Sequence, residues 1–330
     1  MKNFSEIIGH NKVKEHLQSA IQMDKVSHAY ILNGESGSGK SIMAEIFAKT
    51  LECEKGDAEP CNECHSCIQA DSHNHPDIIW VRHEKQGTIG VGDVREQLIG
   101  DIQIKPYSSR YKIYIVKDAQ KMTPQAQNAI LKTIEEPPEY GIIILLTENA
   151  DAFLPTILSR CVKLDMKPVK DELIQEHLMK SYHVSLSEAR FAVAFAQGRV
   201  GRAQEIIDSS EFAQMKEEAM HLLRYAKEMT ASELIDAVKH VSNYKQKAED
   251  YIDLLAMWYR DVLLFKSTND SNLLIFKDEM KLIREHASVS SYEGIELILK
   301  AMDKAKVRLK ANVNFDLAME LMFMTIRENS

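Results

Sequence analysis

The chain carries two hydrophobic rhythms. In the first half, 28–33, 112–116 and 141–146 are short, nearly unbroken apolar runs set between glycine, proline and polar residues. Runs of that length without alternation predict strands buried on both faces. Helical spacing intervenes, with Ile42, Ile46, Phe47 and Leu51 on one face of a helix and Ala126, Ile130 and Ile134 on one face of another. Thr123 and Pro124 predict the start of that second helix, as N-cap and first helical residue, and Pro137-Pro138 its end. After Pro168 the helical rhythm takes over. Segments 171–181, 187–197 and 201–208 predict three short helices, and long amphipathic helices follow from about residue 212. Leu254, Leu255, Trp258, Val262 and Phe265 make one apolar stripe there, and Ile295, Leu297, Ile298, Ala301 and Met302 another; both are expected to be core. The basic run Lys304, Lys306, Arg308, Lys310 is spread around a helix by its spacing. It reads as solvated surface or inter-subunit contact before DNA contact.

Composition sharpens the division. Residues 170–330 hold only three of the 13 glycines, so the strand-and-turn character ends near 165. At 330 residues the chain exceeds one ordinary core, and two or three domains are expected. The longest plain apolar run, 142–146, is far too short to span a membrane, and the first residues carry no apolar signal region, so a cytoplasmic protein is expected. A net charge of −8 argues against a free-standing DNA binder held by bulk electrostatics.

One segment carries specific chemistry. Gly34-Glu35-Ser36-Gly37-Ser38-Gly39-Lys40-Ser41 satisfies the phosphate-loop pattern, with Gly34, Gly39, Lys40 and Ser41 at its fixed positions and Gly37 adding freedom between them. Backbone amides converge on an anion at a helix N-terminus, Lys40 reaches the β- and γ-phosphates, and Ser41 can ligate Mg²⁺. Asp118 ends the second apolar run, where a Walker B carboxylate would help hold the Mg²⁺. The Glu that usually follows in hydrolysing enzymes is Ala119, so general-base help of roughly 10²–10⁴-fold is absent. Thr147, at the end of the third run, fits two readings: a γ-phosphate sensor between the Walker elements, or a cap on the turn.

Five cysteines in a reducing compartment do not make a disulfide framework. Cys61, Cys64 and Cys67 form two overlapping C-x-x-C steps, with Cys53 upstream. Four thiolates at this spacing can close a tetrahedral S₄ site that suits a structural zinc; the rival is a redox dithiol pair.

These segments together resemble the bacterial clamp-loader branch of the AAA+ ATPases, and within it the delta-prime family of the DNA polymerase III holoenzyme. The resemblance covers the whole chain. It runs through Phe4-Ser5-Glu6-Ile7-Ile8-Gly9, His28-Ala29-Tyr30, the four cysteines, His75-Pro76-Asp77, the stretch 128–138, Leu158-Ser159-Arg160-Cys161 and the stretch 312–320. It implies an α/β fold: an AAA+ phosphate-loop parallel-sheet domain over 1–166 with a zinc module at 53–67, a three-helix lid over 167–208 and a helical collar over 209–330. It implies that Arg160 acts in trans as an arginine finger in a neighbouring subunit's ATP site. Partners would be delta and gamma/tau subunits in a hetero-pentamer that places a sliding clamp on primed DNA. Cofactors would be structural Zn²⁺ and, because the phosphate loop is intact, ATP or ADP with Mg²⁺. Two departures from the hydrolysing gamma/tau type, Ala119 and a lid-helix Arg replaced by Gly201 between Arg199 and Arg202, imply a stator with weak or no ATPase. The rivals are a hydrolysing motor subunit and a zinc-stabilised nucleic-acid-binding module.

Overall fold

The computed structural model describes residues 3–82 and 87–329. They pack as two compact units, 1–177 with 198–202, and 178–197 with 203–330. All of these boundaries fall inside the segment expected as a lid.

The first unit is built on one five-stranded sheet. Its strands are β1 (Ala29–Asn33), β2 (Ile78–Val81), β3 (Lys112–Val116), β4 (Gly141–Thr147) and β5 (Val162–Asp165). Their order is β2-β3-β4-β1-β5, and every pairing is parallel. The parallel α/β fold expected from the sequence is therefore present. The apolar run of β4 shows why it needed no alternation. Ile142, Ile144 and Leu146 enter one core with Leu17, Phe47 and Ile115, while Ile143 and Leu145 enter the opposite core with Leu98, Ile130 and Ile157. A strand covered on both faces can be apolar at every position.

Helices α1 (Asn11–Gln22) and α2 (Lys40–Leu51) cover the first face. The second is covered by α4 (Val91–Val94), which continues into a π-helical turn over Arg95–Gly100, and by α5 (Pro124–Glu135) and α6 (Pro155–Leu158). The Thr123 hydroxyl accepts from the Ala126 amide and Pro124 opens α5, as the sequence predicts. Helix α3 (His65–Asp71) lies in the cysteine segment between α2 and β2. Lys49 of α2 is buried and grips that segment, donating to Asp71 at 2.7 Å and to the Asn62 side chain at 2.8 Å.

Helices α7 (Asp171–Tyr182) and α9 (Val200–Asp208) cross the unit boundaries. The second unit holds α8 (Leu186–Ala196), α10 (Ser210–Tyr225), α11 (Ala231–Val241), α12 (Ala248–Thr268), α13 (Met280–Val289), α14 (Tyr292–Lys310) and α15 (Phe315–Asn329). Its core includes Tyr251, Trp258, Tyr259 and Phe323, with Phe276 edge-on to both Trp258 and Phe191. Asp261 is fully buried on α12, where it accepts the Ile275 and Phe276 amides and so anchors the connection to α13. The α12 stripe is core throughout, as expected. On α14, Ile295, Ile298 and Met302 are buried, but Leu297 is exposed, a correction to the stripe read from spacing. Of the basic run, Lys306 and Lys310 pair with Asp253 and Glu249 of α12.

Candidate functional site

The chain leaves β1 and turns at once into the phosphate loop. The Gly34 amide donates to the Thr147 carbonyl at 3.0 Å, which fixes the loop's entrance to the end of β4. Gly37 and Gly39 have φ of 77° and 94°, the left-handed region that glycine enters without Cβ strain. Helix α2 then begins at Lys40, with Ser41 in its first turn. Left-handed glycines leading into a helix N-terminus form a backbone cradle suited to phosphate. Lys40 Nζ lies across the loop, donating to the Gly34 carbonyl and, at 2.8 Å, to that of Glu35. Burial pulls the Lys40 pKa below its ordinary value, against the carboxylates of Glu148, Asp118 and Glu35. The sheet thus gathers the residues expected to serve the nucleotide at the carboxyl ends of β1, β3 and β4.

Asp118 lies past the end of β3 with φ of 52°, and its carboxylate pairs with Lys121 at 3.1 Å. Ala119 beside it is completely buried, so that position faces protein and presents no side chain to a nucleotide. Thr147 is also completely buried. Its hydroxyl donates to the Asn149 carbonyl at 3.0 Å and accepts the Asn149 amide at 3.1 Å, which are the bonds of a turn cap.

Two contacts with this loop were not legible in the sequence. His10, itself left-handed, places Nε2 3.0 Å from the Ser38 carbonyl. The Gly201 amide, in the first turn of α9, donates to the Gly37 carbonyl at 2.9 Å. A Cβ on Gly201 would lie 3.0 Å from the Gly37 oxygen, and one on Gly37 would lie 3.0 Å from the Arg202 amide. The two glycines permit this approach of backbone to backbone. Gly201 therefore has a positive structural role at the position read from sequence as a lost arginine.

The four cysteines converge. Sγ atoms of Cys53, Cys61, Cys64 and Cys67 all lie within 4.8 Å of one another. Three backbone amides point at sulfur: Cys61 to Cys53 and Cys64 to Cys61, each at 3.3 Å, and Cys67 to Cys64 at 3.4 Å. Backbone donors, chiefly the Glu63 and Cys64 amides, bring the Cys61 pKa down to about 6. Burial drives that of Cys67 upward. A full set of four protein sulfurs fits a soft or borderline cation with no open position.

Arg160 follows the short helix α6. Its Nε forms an ion pair with Glu135 at 2.9 Å, and Nη1 donates to the Thr156 carbonyl at 3.0 Å and the Ser159 hydroxyl at 3.2 Å. Burial pushes the neighbouring Cys161 thiol up to about 12, so it is a packing group rather than a reactive one. In His75-Pro76-Asp77 the buried carboxylate of Asp77 accepts the Tyr107 and Ser108 amides at 2.7 and 2.9 Å, holding the loop before β3. His75 bonds Ser66 of α3 at 2.9 Å. His75 thus ties the cysteine segment, and Asp77 the loop before β3, to the start of β2.

The same regions carry the similarity to known proteins. A family model described as DNA polymerase III, delta subunit, matches residues 9–170, and one for the C-terminal part of that subunit matches 230–327. DNA polymerase III subunit delta' of Bacillus subtilis (strain 168) is 32% identical over 321 residues, 96% of each chain. The chain belongs to the DNA polymerase III delta-prime family. Subunit tau of the same organism is 26% identical over the whole chain, which spans 63% of that protein. A gamma subunit-related protein from Thermotoga maritima superposes with a TM-score of 0.48 at 22% identity, over 95% of this chain and 99% of that one. For a delta-prime family member the first matched region is informative, since it takes in the phosphate loop, all four clustered cysteines and Arg160. Among the described residues no helix is long and apolar enough to cross a membrane.

Proposed function

We propose that this clamp-loader subunit acts as a stator: it holds nucleotide without efficient turnover and lends Arg160 to the ATP site of a neighbour. The observation that carries the reading is the combination, within a delta-prime family chain, of Ala119 in place of the second Walker B acid with an exposed, well-tethered Arg160. A guanidinium directed at transferring phosphoryl charge is worth roughly 10³–10⁵ in rate and works equally well from another chain. Delta and gamma/tau subunits are the proposed partners, in a hetero-pentamer that opens the sliding clamp for primed DNA during replication. Residues 1–166 would form the nucleotide-binding domain, 167–208 the lid and 209–330 the collar. On α15 the side chains of Leu317, Leu321 and Met324 are exposed on one face, which suits a collar helix that packs against other subunits. Zinc on the four cysteines would be structural; its absence from freshly purified, reduced protein would end that assignment.

The decisive experiment is Arg160→Ala in the reconstituted complex. DNA-stimulated ATP turnover is expected to fall at least several-fold with assembly intact. Unchanged turnover would remove the in-trans role. The intact phosphate loop favours a second reading, a hydrolysing motor subunit. Robust turnover by the pure chain, abolished by Lys40→Ala, would put that reading first.

A further inference from the structure

Glu135 is the last residue of α5, and the helix stops beyond it at Pro137-Pro138. A carboxylate there meets the negative end of the helix dipole, so local helix energetics do not explain it. Its contact is Arg160, an ion pair in which Oε1 lies 2.9 Å from Nε. The two side chains are 44% and 40% exposed, and an exposed pair of this kind adds only about 0–1 kcal/mol to stability. What the pair does change is geometry. Glu135 engages Nε, the Thr156 carbonyl and Ser159 hydroxyl engage Nη1, and among the described residues Nη2 has no partner. The guanidinium plane is thereby held from two sides with one amino group directed away. The backbone of Glu135 is itself fixed, because Ala126, Ile130 and Ile134 of α5 are buried in the sheet core.

We infer that Glu135 is the positioning residue for Arg160: it orients the guanidinium in advance so that Nη2 meets the anionic group of the neighbouring site. The inference rests on the in-trans role proposed above. An arginine free to sample its rotamers would pay that ordering cost at each turnover, whereas a tethered one is already placed.

The test compares four complexes reconstituted with the native chain, Arg160→Ala, Glu135→Ala and Glu135→Gln, plus the double alanine variant. DNA-stimulated ATPase is resolved into kcat and KM, and assembly is followed by size-exclusion chromatography. Glu135→Ala is expected to lower kcat roughly tenfold with KM and assembly unchanged. Glu135→Gln keeps an acceptor oxygen and should retain at least about half of the native kcat. The double variant should be no slower than Arg160→Ala alone, because both substitutions remove the same interaction. If Arg160→Ala is harmless, the in-trans reading itself fails. If Arg160→Ala is damaging and Glu135→Ala is not, only the positioning role fails. A rise in kcat for Glu135→Ala would mean that Glu135 restrains the arginine, and equal losses in the Ala and Gln variants would mean that charge matters and orientation does not; either overturns the proposal.

Discussion

His286 shows how one buried ring ties stability to pH. On α13, its Nδ1 accepts a hydrogen bond from Trp258 Nε1 at 3.4 Å, which requires that nitrogen to be unprotonated. Burial lowers its pKa below the ordinary 6.5; Glu285 opposes this and Lys227 adds to it. The unfolded chain therefore takes up this proton more readily than the folded one. The contribution of the neutral ring is complete above about pH 6.5 and is lost as pH falls through and below that value. Urea melts between pH 7.5 and 5.5 should show stability falling with acidification, and His286→Gln should flatten part of that slope. An unchanged slope would mean that other groups set the pH dependence. Asp77 makes a different point at the same scale. Its two amide contacts lie 30 and 31 residues away, so the residue singled out by its motif owes its structural role to a loop that the motif does not contain.

Among the elements, the contact of α9 with the phosphate loop brings backbone directly against backbone. Gly201→Ala gains helix propensity of about 1 kcal/mol but forces a Cβ against the Gly37 carbonyl, where overpacking typically costs about 1–3 kcal/mol. The net expectation is a loss of about 1 kcal/mol in chemical denaturation. Gly92→Ala in α4 is the control, since an added Cβ there meets no atom within 4 Å, and it should be neutral or stabilising. Equal effects at the two positions would remove the close-approach argument. The cysteine segment is an element of another kind. It is held by four converging sulfurs, by Lys49 and by the His75–Ser66 bond, with little apolar core of its own. Small segments of this sort generally need a staple.

At the scale of the whole molecule, the exposed face of α15 makes the proposed assembly testable. Leu317→Lys with Leu321→Lys places two charges on side chains that are 50% and 41% exposed. The melting temperature of the isolated chain should be nearly unchanged, because surface substitutions generally alter stability by no more than about 0.5 kcal/mol. Incorporation into the complex should fall about tenfold or more, measured by titration against the partner subunits, since charge is disfavoured at interface centres. Normal incorporation would locate the collar contacts elsewhere. The net charge of −8 agrees with a chain whose interactions are local surfaces rather than a general basic face.

Features that depend on near neighbours along the chain could be read before any fold was known. The apolar runs became β1, β3 and β4, Thr123 and Pro124 opened α5, and the predicted helices at 171–181, 187–197 and 201–208 formed within one or two residues. The phosphate loop and the C-x-x-C steps were legible for the same reason, because their chemistry lies within a few consecutive residues. Features that depend on which elements meet came only with the packed fold. Strand order placed Lys40, Asp118 and Thr147 along one edge of the sheet, then gave the Thr147 hydroxyl to its own turn and the Asp118 carboxylate to Lys121. Packing set Gly201 on Gly37 and brought Glu135, at the proline-terminated end of α5, against Arg160. Hydrophobic periodicity says which face of an element is buried but not against what. These pairings arise only when several elements share one core, so no local pattern encodes them.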